Sequence, residues 1–355
     1  MKRLLKAPLF SSVLALLLAG ALLLVLLPKA DFSDLENRPL ARLSFADLST
    51  GVDQTLEHYL ADHFPAHDAL VQTQATISAL SGLRLSDSVL IGRGGWLLAE
   101  PLREETAVAH AALQSLREAA DTLDAPLTLL LVPTSALCGT GVLPPLYENG
   151  DQAALVRQLN ERSGADTAID TPALLAAAGD AAFYRTDHHL SAEGIWQLYL
   201  GLCEAWSLTP QQPEQFRCEG FLGSYWAKQP LFTVAAEPFS AWLPEGISLQ
   251  VDGAAREGLL DVSALEGRNK YAALLAATYG TALLTNPAGS GRLVLLCDSY
   301  ANALAPLLAQ HFAQVELIDP RYFSGSLQQV ERADRVLACF GLPDLSENRS
   351  LLALE

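Results

Sequence analysis

Residues 293–297 read Leu-Val-Leu-Leu-Cys, and Asp298-Ser299 follow at once. Five apolar residues without a polar break fit a strand buried on both faces, because a strand with one wet face would alternate. Leu127–Val132 (LTLLLV), Gln314–Ile318 and Val336–Phe340 also read as buried strands, and Thr167–Asp170 reads as a shorter strand. Helical patterns cover 104–123, 151–162 and Ser191–Trp206. In the last of these Ile195, Leu198, Tyr199, Leu202 and Trp206 share one face, with Ser191 placed to cap the N-terminus. Short apolar strands alternating with amphipathic helices predict an α/β domain, a mostly parallel sheet covered on both faces. Ligands of such sheets bind beyond the carboxyl ends of the strands, so the chemistry is sought there.

The rhythm weakens over 210–290, which reads as a less regular insertion in a main domain spanning 101–355. Upstream, an amphipathic helical pattern over 53–83 is broken at Pro65, and a turn-rich strand signal follows at 89–98. Residues 29–100 thus form a stalk and an N-terminal helical and strand region, with 31–50 polar. Leu9–Leu27 is an uncharged apolar stretch behind Lys2, Arg3 and Lys6. At 1.5 Å per residue it spans ~28 Å, the thickness of a bilayer core. Basic residues before it and Asp31, Asp34 and Glu36 after it predict a single-pass anchor with a cytoplasmic N-terminus and an extracytoplasmic domain. A signal peptide cut after Pro28-Lys29-Ala30 is the competing reading, with the same destination.

The chain has 355 residues, a formal net charge of -17 and 40 acidic against 23 basic side chains. That balance excludes a general nucleic-acid binder, which needs a basic face against phosphates. Cys138, Cys203, Cys218, Cys297 and Cys339 show neither a disulfide framework nor a CxxC metal pattern. Cys297 and Cys339 lie in strand-like runs and read as small buried hydrophobes. A single bridge from Cys203 to Cys218 and five free thiols both fit.

Ser299 stands where a strand hands over to a helical segment, with the N–H groups of residues 299–301 available to hold an oxyanion. Pro306 predicts that the regular helix starts late, leaving 299–305 as a tight or irregular turn. The second element is Tyr184-Arg185-Thr186-Asp187-His188-His189-Leu190-Ser191. Residues i and i+2 of an extended segment point the same way, so Asp187 can fix one ring nitrogen of His189 and leave the other to accept a proton. A serine needs such a base to act as a nucleophile. The same Asp and paired His could instead bind a metal or merely cap the next helix; no HExxH-type spacing accompanies them.

The ordered set of motifs resembles the DHHW family of bacterial envelope proteins, related to the alginate O-acetylation proteins of the SGNH-hydrolase-like superfamily. Tyr184–Gly194 (YRTDHHLSAEG), Asp298–Asn302 (DSYAN) and Asp319–Phe323 (DPRYF) carry most of the likeness. Glu36–Arg38, Asp62–Pro65, Val89–Leu98, Phe221–Lys228 (FLGSYWAK) and Lys270–Ala272 (KYA) add weaker pieces. The resemblance implies a three-layer αβα SGNH-hydrolase-like domain with Asp187 as orienter, His189 as base and Ser299 as nucleophile. Asn302, Arg321, His188 and Tyr300 are further candidates for substrate or oxyanion contacts. It also implies O-acyl, most simply O-acetyl, transfer or hydrolysis on a cell-surface polysaccharide, with no metal and no cofactor. The partners so implied are an acyl donor, the glycan and a polytopic membrane O-acyltransferase. A non-catalytic glycan-binding or scaffold protein on the same fold is the alternative. Two residues depart from the family pattern: Leu190 where it has Trp, and Cys297 before Asp298.

Arg321 could bind substrate oxygen or pair locally with Asp319, and Asn302 could support an oxyanion or cap its helix. His63 and His67, on either side of Pro65, read as surface or packing residues, and Tyr225 and Trp226 as sugar platforms or core.

Overall fold

The computed structural model describes residues 8–26, 29–36, 38–42, 52–144, 147 and 150–353. The chain divides into two compact units, Met1–Gly82 with Ala227–Thr233, and Leu83–Trp226 with Val234–Glu355.

In the first unit the apolar stretch is helical over Pro8–Leu26. Among the described residues, however, no helix is long and apolar enough to cross a membrane. The expected anchor therefore remains a reading of the sequence, and its basic tip Lys2, Arg3 and Lys6 lies outside the described residues, as does Pro28 of the alternative cleavage site. Helices Val52–Asp62 and His67–Leu80 flank the break at Pro65. Arg38 ties this unit together: its guanidinium donates to Asp62 at 2.7 and 3.1 Å and to Glu36 at 2.8 Å. His63 Nε2 lies 2.9 Å from the Ala41 carbonyl oxygen, a packing role.

The second unit is built on an eight-stranded sheet. Its strands are β1 Leu127–Val132, β2 Thr167–Ala168, β3 Ser248–Val251, β4 Ala254–Arg256, β5 Thr281–Thr285, β6 Arg292–Cys297, β7 Gln314–Ile318 and β8 Arg335–Gly341. The spatial order is β4-β3-β5-β7-β6-β8-β1-β2. From β7 to β2 every pairing is parallel, whereas β4, β3, β5 and β7 pair antiparallel. Three strands of the main sheet thus come from the stretch expected to be irregular. They are short, and β3 alternates exposed and buried, as a strand does near the margin of a sheet.

The α-helices of six or more residues in this unit are α1 Ala107–Thr122, α2 Gln152–Arg162, α3 Thr171–Ala176, α4 Ala192–Trp206, α5 Ala301–Leu308 and α6 Leu342–Glu347. Thr106, Asp151, Asp170 and Ser191 cap the first four, each side-chain oxygen accepting an N–H from the first turn. Leu293, Leu295 and Cys297 of β6 face the core shared with α4 and α5, and Val294 and Leu296 face that of α1, α2 and α6. Because both faces are covered, the strand has no polar position after Arg292. Contrary to the late start expected from Pro306, α5 begins at Ala301, and the proline sits inside a helix whose residues are all buried. The cysteines are all free, so the Cys203–Cys218 bridge does not form.

Candidate functional site

Strand β6 ends at Cys297, and its next residue closes the turn that presents Ser299. The Asp298 N–H donates to the Cys339 carbonyl at 3.2 Å, extending the pairing with β8. Its carboxylate accepts the Tyr300 N–H at 3.0 Å and the Gly341 N–H at 2.7 Å. Burial and nearby Asp344 push this carboxyl up, opposed by those two N–H groups and by Arg321. Cys297 is fully buried in the core beneath the turn, and burial pushes its thiol well up, so it behaves as an inert hydrophobe. Ser299 itself is half-buried.

The loop 183–190 ends on a bridge between Phe183 and Leu190, and Leu190 is buried in the core. Glu237 secures the loop by accepting the Arg185 N–H at 3.0 Å, the Thr186 N–H at 2.8 Å and the Thr186 hydroxyl at 2.6 Å. Asp187 is 1 % exposed, and its oxygens accept the His189 N–H at 2.9 Å and the Ser224 N–H at 2.6 Å. His189 Nδ1 lies 2.5 Å from Asp187 Oδ1, and its Nε2 lies 2.8 Å from Ser299 Oγ. An ionised carboxylate can only accept, so Nδ1 carries the proton and Nε2 is left to accept the Ser299 hydroxyl. Burial opposes ionisation of Asp187, but the imidazoles of His188 and His189, the hydrogen bond from His189 and the Ser224 N–H outweigh it. Together they hold the carboxyl well below the usual carboxylate range.

The structure thus brings Asp187, His189 and Ser299 into one hydrogen-bonded line. His188 lies beside it: its Nδ1 is 2.7 Å from Ser224 Oγ, and its ring centroid is 3.7 Å from that of His189. Asp187, His188 and His189 could offer a metal three donor atoms within 4.8 Å of one another. Asp187 already receives three N–H groups, an arrangement better suited to holding an imidazole than an ion.

The remaining candidates are placed differently. Tyr300 donates its hydroxyl to the His188 carbonyl at 2.7 Å, and the Ala301 N–H donates to the Asp298 carbonyl at 3.2 Å. The N–H groups of 300 and 301 are therefore spent inside the turn, contrary to the sequence expectation. Among the described residues, only the Ser299 N–H of that trio has no partner. Asn302 is buried, and its carboxamide oxygen accepts the Tyr279 hydroxyl, so only its NH₂ group remains to donate. Arg321 is committed to Asp319 at 2.7 Å and Asp344 at 3.2 Å, the local pairing rather than a substrate contact. Tyr225 and Trp226 are 8 % and 4 % exposed, which makes them core residues.

Three contributors carried no role in the sequence reading. Ser224 supplies the N–H on Asp187, Gly223 makes room for it, and Tyr271 stacks flat on His189 with ring centroids 3.5 Å apart and planes 9° apart. All three fall inside FLGSYWAK and KYA, the only signal that could have singled them out. A Cβ on Gly223 would lie 2.3 Å from both Cβ and Oδ2 of Asp187. Asp187 is pinned and cannot yield, so Gly223→Ala is expected to cost about 2–3 kcal/mol. Denaturant unfolding checks this, and a stability equal to that of the unaltered chain refutes the packing argument.

Comparison with models of known protein families finds no match, and comparison with curated proteins finds none either. Solved structures do match. A DHHW family protein from Eubacterium siraeum superposes with a TM-score of 0.61 at 17% identity, covering 75% of this chain and 97% of that one. Bacillus cereus PatB1 with a sulfonyl adduct gives 0.61 at 15% identity, covering 75% and 98%. A second structure of PatB1 gives 0.59 at 17%, covering 76% and 100%. The structural neighbours therefore include a member of the family that the motifs resemble, and at these identities the likeness speaks for the fold.

Proposed function

We propose that this chain is a serine O-acyltransferase or esterase, most simply for acetyl groups, acting on cell-surface polysaccharide from an extracytoplasmic position behind an N-terminal membrane anchor. The observation that carries the reading is the line from Asp187 through His189 to a partly exposed Ser299, with 2.8 Å between imidazole and hydroxyl.

In the proposed reaction Ser299 Oγ attacks the acyl carbonyl as His189 Nε2 takes its proton, and the Asp187 carboxylate stabilises the imidazolium. The tetrahedral oxyanion is held by the Ser299 N–H and the Asn302 NH₂ group, each such donor contributing about 3 kcal/mol in comparable sites. Collapse expels the donor's leaving group, to which His189 returns the proton, and leaves acyl-Ser299. A sugar hydroxyl then gives its proton to His189 and attacks the acyl carbon, releasing the acylated glycan and a regenerated serine; water in its place gives hydrolysis. The donor is supplied by a polytopic membrane O-acyltransferase partner. No cofactor enters these steps.

The sulfonyl adduct belongs to PatB1, but it suggests a probe, since sulfonyl reagents add to activated nucleophiles. Treatment of this chain with phenylmethylsulfonyl fluoride is expected to leave one adduct, mapped by mass spectrometry to the peptide holding Ser299. A folded chain that takes no adduct, or takes it elsewhere, sinks the reading.

A further inference from the structure

The segment 270–279 touches the serine turn at one end and the first turn of α5 at the other. The Tyr271 hydroxyl donates to the Ser299 carbonyl at 2.9 Å, and the Tyr279 hydroxyl donates to the Asn302 side chain. Burial keeps both phenols protonated, pushing them well above their ordinary range, so each remains a donor. Between the tyrosines Leu275, Ala276 and Ala277 have φ of 49°, 66° and 62°. Residues with a side chain visit this left-handed region singly; three in succession persist only where the surroundings impose them. Leu275 is fully buried, which fixes the middle of the segment to the core.

Tyr271 also lies against the base. Its ring is 3.5 Å from that of His189 and His188 is 3.7 Å from it, and two rings at those separations cannot share one face. His189 is therefore held between them. Its bond to Asp187 fixes one edge of the imidazole but leaves rotation that would swing Nε2 away from Ser299, and the flat Tyr271 ring on one face with the tilted His188 ring on the other removes that freedom.

We propose that segment 270–279 is a clamp on the nucleophile turn and that Tyr271 is its positioning residue, a side chain that grips both the base and the backbone of the nucleophile. Tyr271 reaches the reaction through His189 and Ser299 and takes no proton itself. The inference rests on the serine reading above, and its test separates the two.

The full-length chain and its Tyr271→Phe and Tyr271→Leu variants are compared for the rate of sulfonylation at Ser299, the melting temperature, and the far-downfield proton resonance of His189 Nδ1–H. Tyr271→Phe keeps the ring and loses the bond to the turn, so labelling slows by up to about tenfold with the resonance retained. Tyr271→Leu frees the imidazole, so labelling slows by about a hundredfold and the resonance broadens or vanishes. A wild-type labelling rate in Tyr271→Phe, or in a folded Tyr271→Leu, overturns the clamp. If Tyr271→Leu does not fold, the Phe variant decides alone. If the unaltered chain takes no label at Ser299, it is the serine reading that fails, before any variant is compared.

Discussion

Ser299→Ala is expected to lower aryl-acetate hydrolysis by on the order of 10⁶-fold, leaving the melting temperature unchanged. The hydroxyl is the group that the proposed step joins to the acyl carbon, and its oxygen already lies 2.8 Å from His189 Nε2. Nothing nearby replaces it: the Cys297 sulfur is sealed in the core and its thiol is pushed well up. Ser299 is half-buried at the turn, so a methyl fits there without strain. A variant that keeps full activity would show that hydrolysis arises elsewhere on the chain.

Asp187→Asn is expected to cost about 10⁴-fold in the same assay. The carboxylate accepts from Nδ1 and so leaves Nε2 free. An amide offering its NH₂ group at that place reverses the tautomer, putting the proton on the nitrogen that must accept from serine. The same substitution changes the acid limb of stability. Because the Asp187 carboxyl is lower in the folded chain than in the unfolded one, its stabilisation is fully present above the unfolded value of about 3.9 and is lost as pH falls toward the folded value. The variant should therefore lose less stability than the parent when acidified below about pH 4. Parallel acid-unfolding curves for the two proteins would contradict that assignment.

Legibility followed the range of the physics. β1, β6 and the cap at Ser191 were readable because burial on two faces and an N-cap each leave a local mark. The half of the sheet supplied by 248–285 was not, since its strands are short and their partners lie far along the chain. The spacing of Asp187 and His189 announced their pairing, but their meeting with Ser299 rested on a resemblance of motifs. The oxyanion donors were misjudged at 300 and 301 because the side chain of Asp298 folds back to take one N–H and its carbonyl the other. Tyr271 escaped because a ring stacked on a residue more than eighty positions away leaves no periodic trace.

The strand order has a consequence for how the protein is made. β8 lies between β6 and β1, so the middle of the sheet is the last of its eight strands to leave the ribosome. Until it arrives β1 has no neighbour on that side, and its apolar edge waits open from Val132 to Arg335, far longer than that of β6, which ends at Cys297. Loop closure of that span is slow, and open edges invite pairing with other chains. The sheet therefore closes only once β8 has been made, and holding factors that shield unfinished sheet edges should matter more here than for a fold whose centre is laid down first.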